Sequence, residues 1–218
     1  MNELCQLYWK PVYAFIRATR GYSNEDAKDM TQAFFEELMD RRFLERASPD
    51  LGTFRSYLRG AVPLFLLNPH ERGRALTRGG GRRILALDDE PLDAPASPPD
   101  LAPEDSFDRQ WCLILVTRAL EELREELDRS DRTVYYRAFE RYSLQPASED
   151  PHTYAQVAAE LGLKESDVGN YLTACRKRLR EILTNRIRDY VRSDDEVYPE
   201  FARVLKLFGG LQGDGPPR

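Results

Sequence analysis

Three groups of residues have types and spacings suited to chemistry, and in each the chemistry is recognition rather than bond-making. Asp26, Asp29, Gln32 and Glu36 recur every three or four residues, which puts them on one side of a helix. Residues 70–83 hold five arginines, Arg72 and Arg74 among them, against the single acid Glu71, a composition suited to phosphate. Between 153 and 183, Thr153 can cap a short helix, Gly162 supplies the left-handed residue of a tight turn, and Val168, Leu172, Cys175, Leu179 and Leu183 form an apolar stripe at helical spacing. That pattern describes a helix-turn-helix. Its second helix leaves Asn170, Tyr171, Thr173, Ala174 and Lys177 partly outward, with Lys164 and Ser166 at its start and Arg176 in the basic run beyond, an arrangement that fits a major groove. Plainer readings stand beside these. Spacing alone favours a solvated face for the acidic stripe, and a helical hairpin can serve packing only.

Catalysis finds little to work with. His70 and His152 are the only imidazoles, and neither has the neighbours a zinc site or a catalytic triad needs. Cys5, Cys112 and Cys175 are far apart, odd in number and set within apolar helical patterns, which suits packing better than ligation or nucleophilic attack. The expectation is a protein that is not an enzyme and takes no cofactor or metal.

The elements that must position these groups are helical throughout, so the expected class is all-α. A first helix covers about 2–19, with Pro11 expected to bend or divide it. A second starts after Ser23 and buries Ala27, Met30, Phe34 and Leu38. A third starts after Thr53, and Pro63 predicts a kink or break near Arg59 to Pro63. From Asp88 to Asp105 the chain is acidic and proline-rich and reads as a linker. Periodicity resumes at Phe107, Trp111, Ile114, Leu115, Leu120, Leu123 and Leu127, then at Val134, Tyr135, Ala138, Phe139 and Tyr142. The expected organisation is a helical domain over 1–83, a Pro/Asp-rich linker over 84–104, a helix-turn-helix domain over 105–185, and an extension over 186–218 that ends in a disordered Gly/Pro tail. No stretch of about twenty apolar residues occurs, and the N-terminus lacks a basic start followed by an apolar run, which suggests a cytoplasmic location. The net charge of −5 is unusual for a nucleic-acid binder, yet the basic residues are concentrated while the acids gather around 25–40 and 88–108.

Three of these segments, taken together, resemble the extracytoplasmic-function sigma factors of RNA polymerase. Asp26-Ala27-Lys28-Asp29-Met30-Thr31-Gln32-Ala33-Phe34-Phe35 is similar to that family's D-A-x-D-x-x-Q-x-x-F motif, and Gly52-Thr53-Phe54-Arg55-Ser56-Tyr57-Leu58 to its G-x-F-R-x-[WY]-L. A helix-turn-helix follows a variable linker in both. The resemblance spans roughly 4–83 and 105–185. It implies that Asp26, Asp29, Gln32 and Glu36 dock on the β′ clamp of core RNA polymerase and that a loop over about 44–53 captures a flipped base of the −10 element. It further implies that Arg55, Tyr57, Arg59, Asn68, His70, Arg72 and Arg74 contact DNA of the −10 region. The helix-turn-helix would read the −35 element and touch the β flap. Promoter DNA and core polymerase are the implied partners, with an anti-sigma factor or other regulator as a further one.

Two positions depart from that pattern. Pro63-Leu64 stand where the family commonly has a basic residue and Asn facing the melted strand, which bears on promoter melting. Gly169-Asn170 stand where Lys or Arg is common, and glycine costs about 1 kcal/mol of helix propensity. Two other classes remain open: a polymerase-binding adaptor or competitor that does not melt promoters, and a one-component regulator with a sensing domain before its helix-turn-helix. The regulator leaves the acidic motif and Gly52 to Leu58 without a role.

Overall fold

The computed structural model describes residues 2–19, 21–39, 53–68, 101–145, 152–191 and 193–208. Among these residues the regular structure is helical, with no strand. The elements are α1 (Asn2–Ala18), α2 (Asn24–Met39), α3 (Phe54–Leu67), α4 (Pro103–Arg129), α5 (Thr133–Ser143), α6 (Tyr154–Leu161), α7 (Glu165–Arg188) and α8 (Asp194–Phe208). The all-α expectation is met. The chain divides into two units, Met1–Ile114 and Leu115–Arg218, so the division falls inside α4 and residues 105–114 group with the first unit. Pro103 is the first residue of α4, the position at which a missing N–H costs no helical bond. Much of the expected linker, and the tail past 208, lie outside the described residues.

The first unit is organised by aromatic side chains. Helix α1 packs against both α2 and α3, and α1 buries Cys5, Tyr8, Trp9, Val12, Phe15 and Ile16. Helix α2 buries Ala27, Met30, Phe34, Phe35 and Leu38. Phe34 meets Phe65 of α3 edge to face at 5.4 Å, and Trp9 stacks on Phe35 at 5.5 Å, geometries that add about 1 kcal/mol per pair beyond area burial. Neither internal proline divides its helix: α1 runs through Pro11 and α3 through Pro63 without interruption. Val62, Phe65 and Leu66 are buried around Pro63, and burying large apolar side chains at about 1.5–3 kcal/mol each outweighs one lost backbone bond.

The second unit is built around α7. Helices α5, α6 and α8 all pack on it, and the expected stripe of Val168, Leu172, Cys175, Leu179 and Leu183 is buried, continued by Ile182 and Ile187. Two ion pairs tie α7 to α4: Arg186 to Glu122 at 2.6 Å and Arg178 to Glu126 at 2.7 Å. Helix α7 runs to Arg188, past the expected limit at 185. Val197 and Val204 of α8 are buried, so the C-terminal extension completes this core.

Candidate nucleic-acid interface

The turn between α6 and α7 is specified by adjacent residues. Thr153 is extended (φ −83°, ψ 161°), and its hydroxyl accepts from the Gln156 amide while the Gln156 side chain accepts from the Thr153 amide at 2.7 Å. This reciprocal box satisfies two otherwise orphaned donors. At the other end Gly162 is left-handed (φ 67°, ψ 35°), and its amide and that of Leu163 both reach the Ala158 carbonyl. A side chain with Cβ is strained at that φ. Val157 and Ala158 face inward. The expected helix-turn-helix is present in backbone geometry, caps and buried stripe.

Its outward face is narrower than the sequence suggests. Lys164, Ser166, Asn170, Thr173, Ala174 and Lys177 are exposed, and Ser166, Asn170, Thr173 and Lys177 lie four, three and four residues apart along one line of α7. The Thr173 hydroxyl donates to the Gly169 carbonyl at 2.9 Å. Tyr171 is half-buried and stacked on Tyr135 of α5 with centroids 3.8 Å apart and planes 23° from parallel. Its ring packs the hairpin onto α5 and is spent on the fold. Arg176 is half-buried, its guanidinium 5.9 Å from the Tyr142 ring, while Tyr142 meets Tyr154 at 4.8 Å. A Cβ at Gly169 would come 3.6 Å from the Tyr154 ring, an ordinary contact.

The basic run is partly neutralised from within. Arg178 donates two bonds of 2.7 Å to the Glu126 carboxylate and one of 2.9 Å to Glu181. Those bonds hold the Glu126 carboxyl below its ordinary range and raise the guanidinium further. Bidentate pairing of this kind fixes the guanidinium plane, so Lys177 is the exposed cation at the centre of the run. Cys175 lies beneath, buried, with its thiol pushed up to about 12 by desolvation, which removes it from nucleophilic chemistry at neutral pH.

On α2 the four expected polar residues share the face opposite the buried stripe, each half-exposed. They are not equivalent. Asp26 belongs to a capping box: its carboxylate accepts from the Ser23 amide at 3.1 Å and hydroxyl at 2.7 Å, and its own amide donates to Ser23 Oγ. Those bonds lower its pKa, whereas partial burial and then the charges of Glu25 and Asp26 raise that of Asp29. Gln32 donates to Glu36 at 3.0 Å, and Asp26, bonded back to the Ser23 cap, also fastens the start of the helix.

On α3 the expected DNA contacts separate. Thr53 is the N-cap, its hydroxyl accepting from the Ser56 amide at 3.2 Å. Arg55, expected to reach DNA, is 4% exposed. It donates to Asp108 at 2.8 Å and lies over the Trp111 ring at 4.6 Å, so its charge is consumed inside the unit. Arg59 donates to the other oxygen of the same carboxylate at 3.0 Å and stays half-exposed. Tyr57 is half-buried beside Phe54, and Asn68 is the exposed C-cap. His70, Arg72, Arg74 and residues 44–52 of the base-capture loop lie outside the described residues. The structure adds Asp108 and Trp111, which sequence reading took only as part of a C-terminal domain; the place of Arg55 three and seven residues before Leu58 and Val62, on the apolar side of α3, was the available signal that an acid must lie opposite.

Among the described residues no cluster of His, Cys, Asp or Glu is arranged to hold a metal, and no helix is long and apolar enough to cross a membrane. Comparisons with protein-family models, with curated proteins and with solved structures find no match.

Proposed function

We propose that this chain is a sigma-type transcription initiation factor that binds core RNA polymerase and directs it to promoters from the cytoplasm. The observation that carries the reading is the outward line Ser166, Asn170, Thr173 and Lys177 on the second helix of a helix-turn-helix, exposed while Val168, Leu172, Cys175 and Leu179 of the same helix are buried. Side chains of this kind read base edges and phosphates in a major groove. The acidic ridge of α2 extends the reading to polymerase, because Asp29 and Glu36 face outward without serving as the helix cap. In this assignment Asp29, Gln32 and Glu36 meet the β′ clamp, Asp26 sets their helix, and the helix-turn-helix meets the −35 element and the β flap.

Run-off transcription with purified core polymerase on a fragmented-genome template tests the proposal. Discrete transcripts that depend on the chain are expected. Asp29→Arg with Glu36→Arg should abolish both transcripts and co-purification with core polymerase while leaving the Ser23 cap intact. Full polymerase binding by that double variant would remove the clamp assignment. A second reading, a polymerase-binding adaptor that does not open promoters, draws on Pro63 and the exposed Leu64 in α3. It predicts polymerase binding without transcripts. Specific duplex binding by the chain alone, without polymerase, would instead favour a one-component regulator.

A further inference from the structure

Helix α8 turns two charges and an aromatic ring to solvent that the packing of its unit does not use. Its buried side is formed by Val197, Glu200 and Val204. On the opposite side Asp195, Tyr198, Pro199, Ala202 and Lys206 are all exposed, at spacings that keep them on one face of a helix. Neighbouring charges are matched: Asp194 pairs with Arg188 at 3.0 Å, and Arg203 with Glu200 at 2.6 Å. Among the described residues Asp195 and Lys206 have no such partner. Tyr198 is 64% exposed and its ring meets no other described ring, whereas Tyr154, 37% exposed, meets Tyr142 at 4.8 Å.

The order of these residues identifies the partner. Asp195 and Lys206 are three helical turns apart, about 16 Å along the axis, too far to pair with each other. A face with an acid at one end, a base at the other and the short side chains Pro199 and Ala202 between them is its own complement when turned end to end. In an antiparallel second copy Asp195 lies opposite Lys206 at both ends of the contact. Pro199 and Ala202 meet at its centre, where short side chains let two helix axes approach, and Tyr198 of each copy flanks that centre. A parallel copy would set acid against acid and base against base, which costs affinity. Nucleic acid gains little from a face whose charges cancel.

We propose that the exposed face of α8 is a two-fold, antiparallel contact through which two copies of this chain associate. Such a contact is isologous, so every residue in it acts twice. One pair of helices of 15 residues each buries less than the roughly 1,200 Å² at which stable complexes begin. The association is therefore reversible, with a dissociation constant on the order of 10–100 μM. The inference goes beyond the sigma-type reading and does not depend on it, because α8 follows the helix-turn-helix and carries none of the residues assigned to polymerase or DNA.

Sedimentation velocity of the full chain from about 1 to about 300 μM provides the test. Reversible conversion of monomer to dimer is expected across that range, and it should weaken at high salt. Asp195→Lys and Lys206→Asp should each raise the dissociation constant about tenfold, since either one sets like charges together at both ends of the contact. Two further samples separate the contact from any effect on folding. The double variant Asp195→Lys with Lys206→Asp should regain wild-type association, and an equimolar mixture of the two single variants should form a mixed dimer tighter than either forms with itself. All of these variants should melt within a few degrees of wild type, because the positions are exposed. A chain that stays monomeric at about 300 μM would overturn the proposal, as would a double variant that does not regain association. Loss of core-polymerase co-purification by the single variants of a chain that stays monomeric would assign the face to polymerase instead.

Discussion

Replacing Tyr171 with alanine distinguishes a residue that holds the helix-turn-helix in place from one that reads DNA. The ring lies 3.8 Å from that of Tyr135 and is half-buried. Loss of the aromatic pair costs about 1 kcal/mol, loss of roughly half a large side chain's burial about 1 kcal/mol more, and alanine returns about 0.5 kcal/mol through helix propensity. The net is about 1.5 kcal/mol, which lowers the melting temperature of a unit of this size by about 6–12 °C. Thermal melts of the wild type, Tyr171→Ala, Tyr135→Ala and the double variant form a cycle, with a coupling of about 1 kcal/mol expected between the rings. Tyr171→Phe keeps the stack and should melt within a few degrees of wild type. Well below its melting point, Tyr171→Ala should still bind duplex as the wild type does. An unchanged melting temperature combined with lost duplex affinity would refute this reasoning and return Tyr171 to the groove.

Gly169→Ala should stabilise the chain by about 0.5–1 kcal/mol, because the new Cβ meets Tyr154 at an ordinary 3.6 Å; a lowered melting temperature would show that the two helices are closer than described. Asp108→Ala strands Arg55, 4% exposed, without its carboxylate, and should cost about 3 kcal/mol by urea titration, against a much smaller loss for the half-exposed Arg59→Ala. Glu126 has its carboxyl lowered by Arg178, so its contribution is fully present above the unfolded value of about 4.3 and is lost as pH falls through the lower folded one. With Arg178 41% exposed solvent screening keeps that contribution to about 0.5–1 kcal/mol. Melting temperature followed from pH 6 towards pH 3 should therefore fall more steeply in wild type than in Glu126→Gln, and parallel curves would contradict the pairing.

What could be read in advance follows from the range of the interactions concerned. The α6–α7 turn was legible because Thr153, Gln156 and Gly162 act on neighbours within a few residues. The buried stripe of α7 was legible because its spacing is that of a helix surface. Arg55 was placed on DNA by the resemblance and Tyr171 partly outward by helical spacing, and each has a partner that spacing does not reveal: Asp108 lies 53 residues from Arg55, and Tyr135 is on another helix; Arg178 of the basic run is likewise paired with Glu126, 52 residues away. The local rule kinks or breaks a helix near Pro63; α3 is not broken there, because Val62, Phe65 and Leu66 are buried around it and tertiary packing outweighs a local penalty. The candidate site was thus legible as a motif and at its exposed positions Asn170, Thr173, Ala174 and Lys177, and illegible wherever a charge or ring had a distant partner.

The double fastening of α6, with a capping box at Thr153 and a left-handed glycine at its end, has a consequence for the order in which the second unit assembles. Contacts that close between near neighbours cost little loop entropy and are favoured early on a folding pathway. Substitutions at Gln156 or Gly162 should therefore slow folding, whereas breaking Arg186–Glu122, which are 64 residues apart, should mainly hasten unfolding; chevron plots in urea would display the difference between the two arms. A helical hairpin that acquires its shape before the surrounding core closes would be present on the nascent chain as soon as α7 has been synthesised, ahead of the last helix that packs against it.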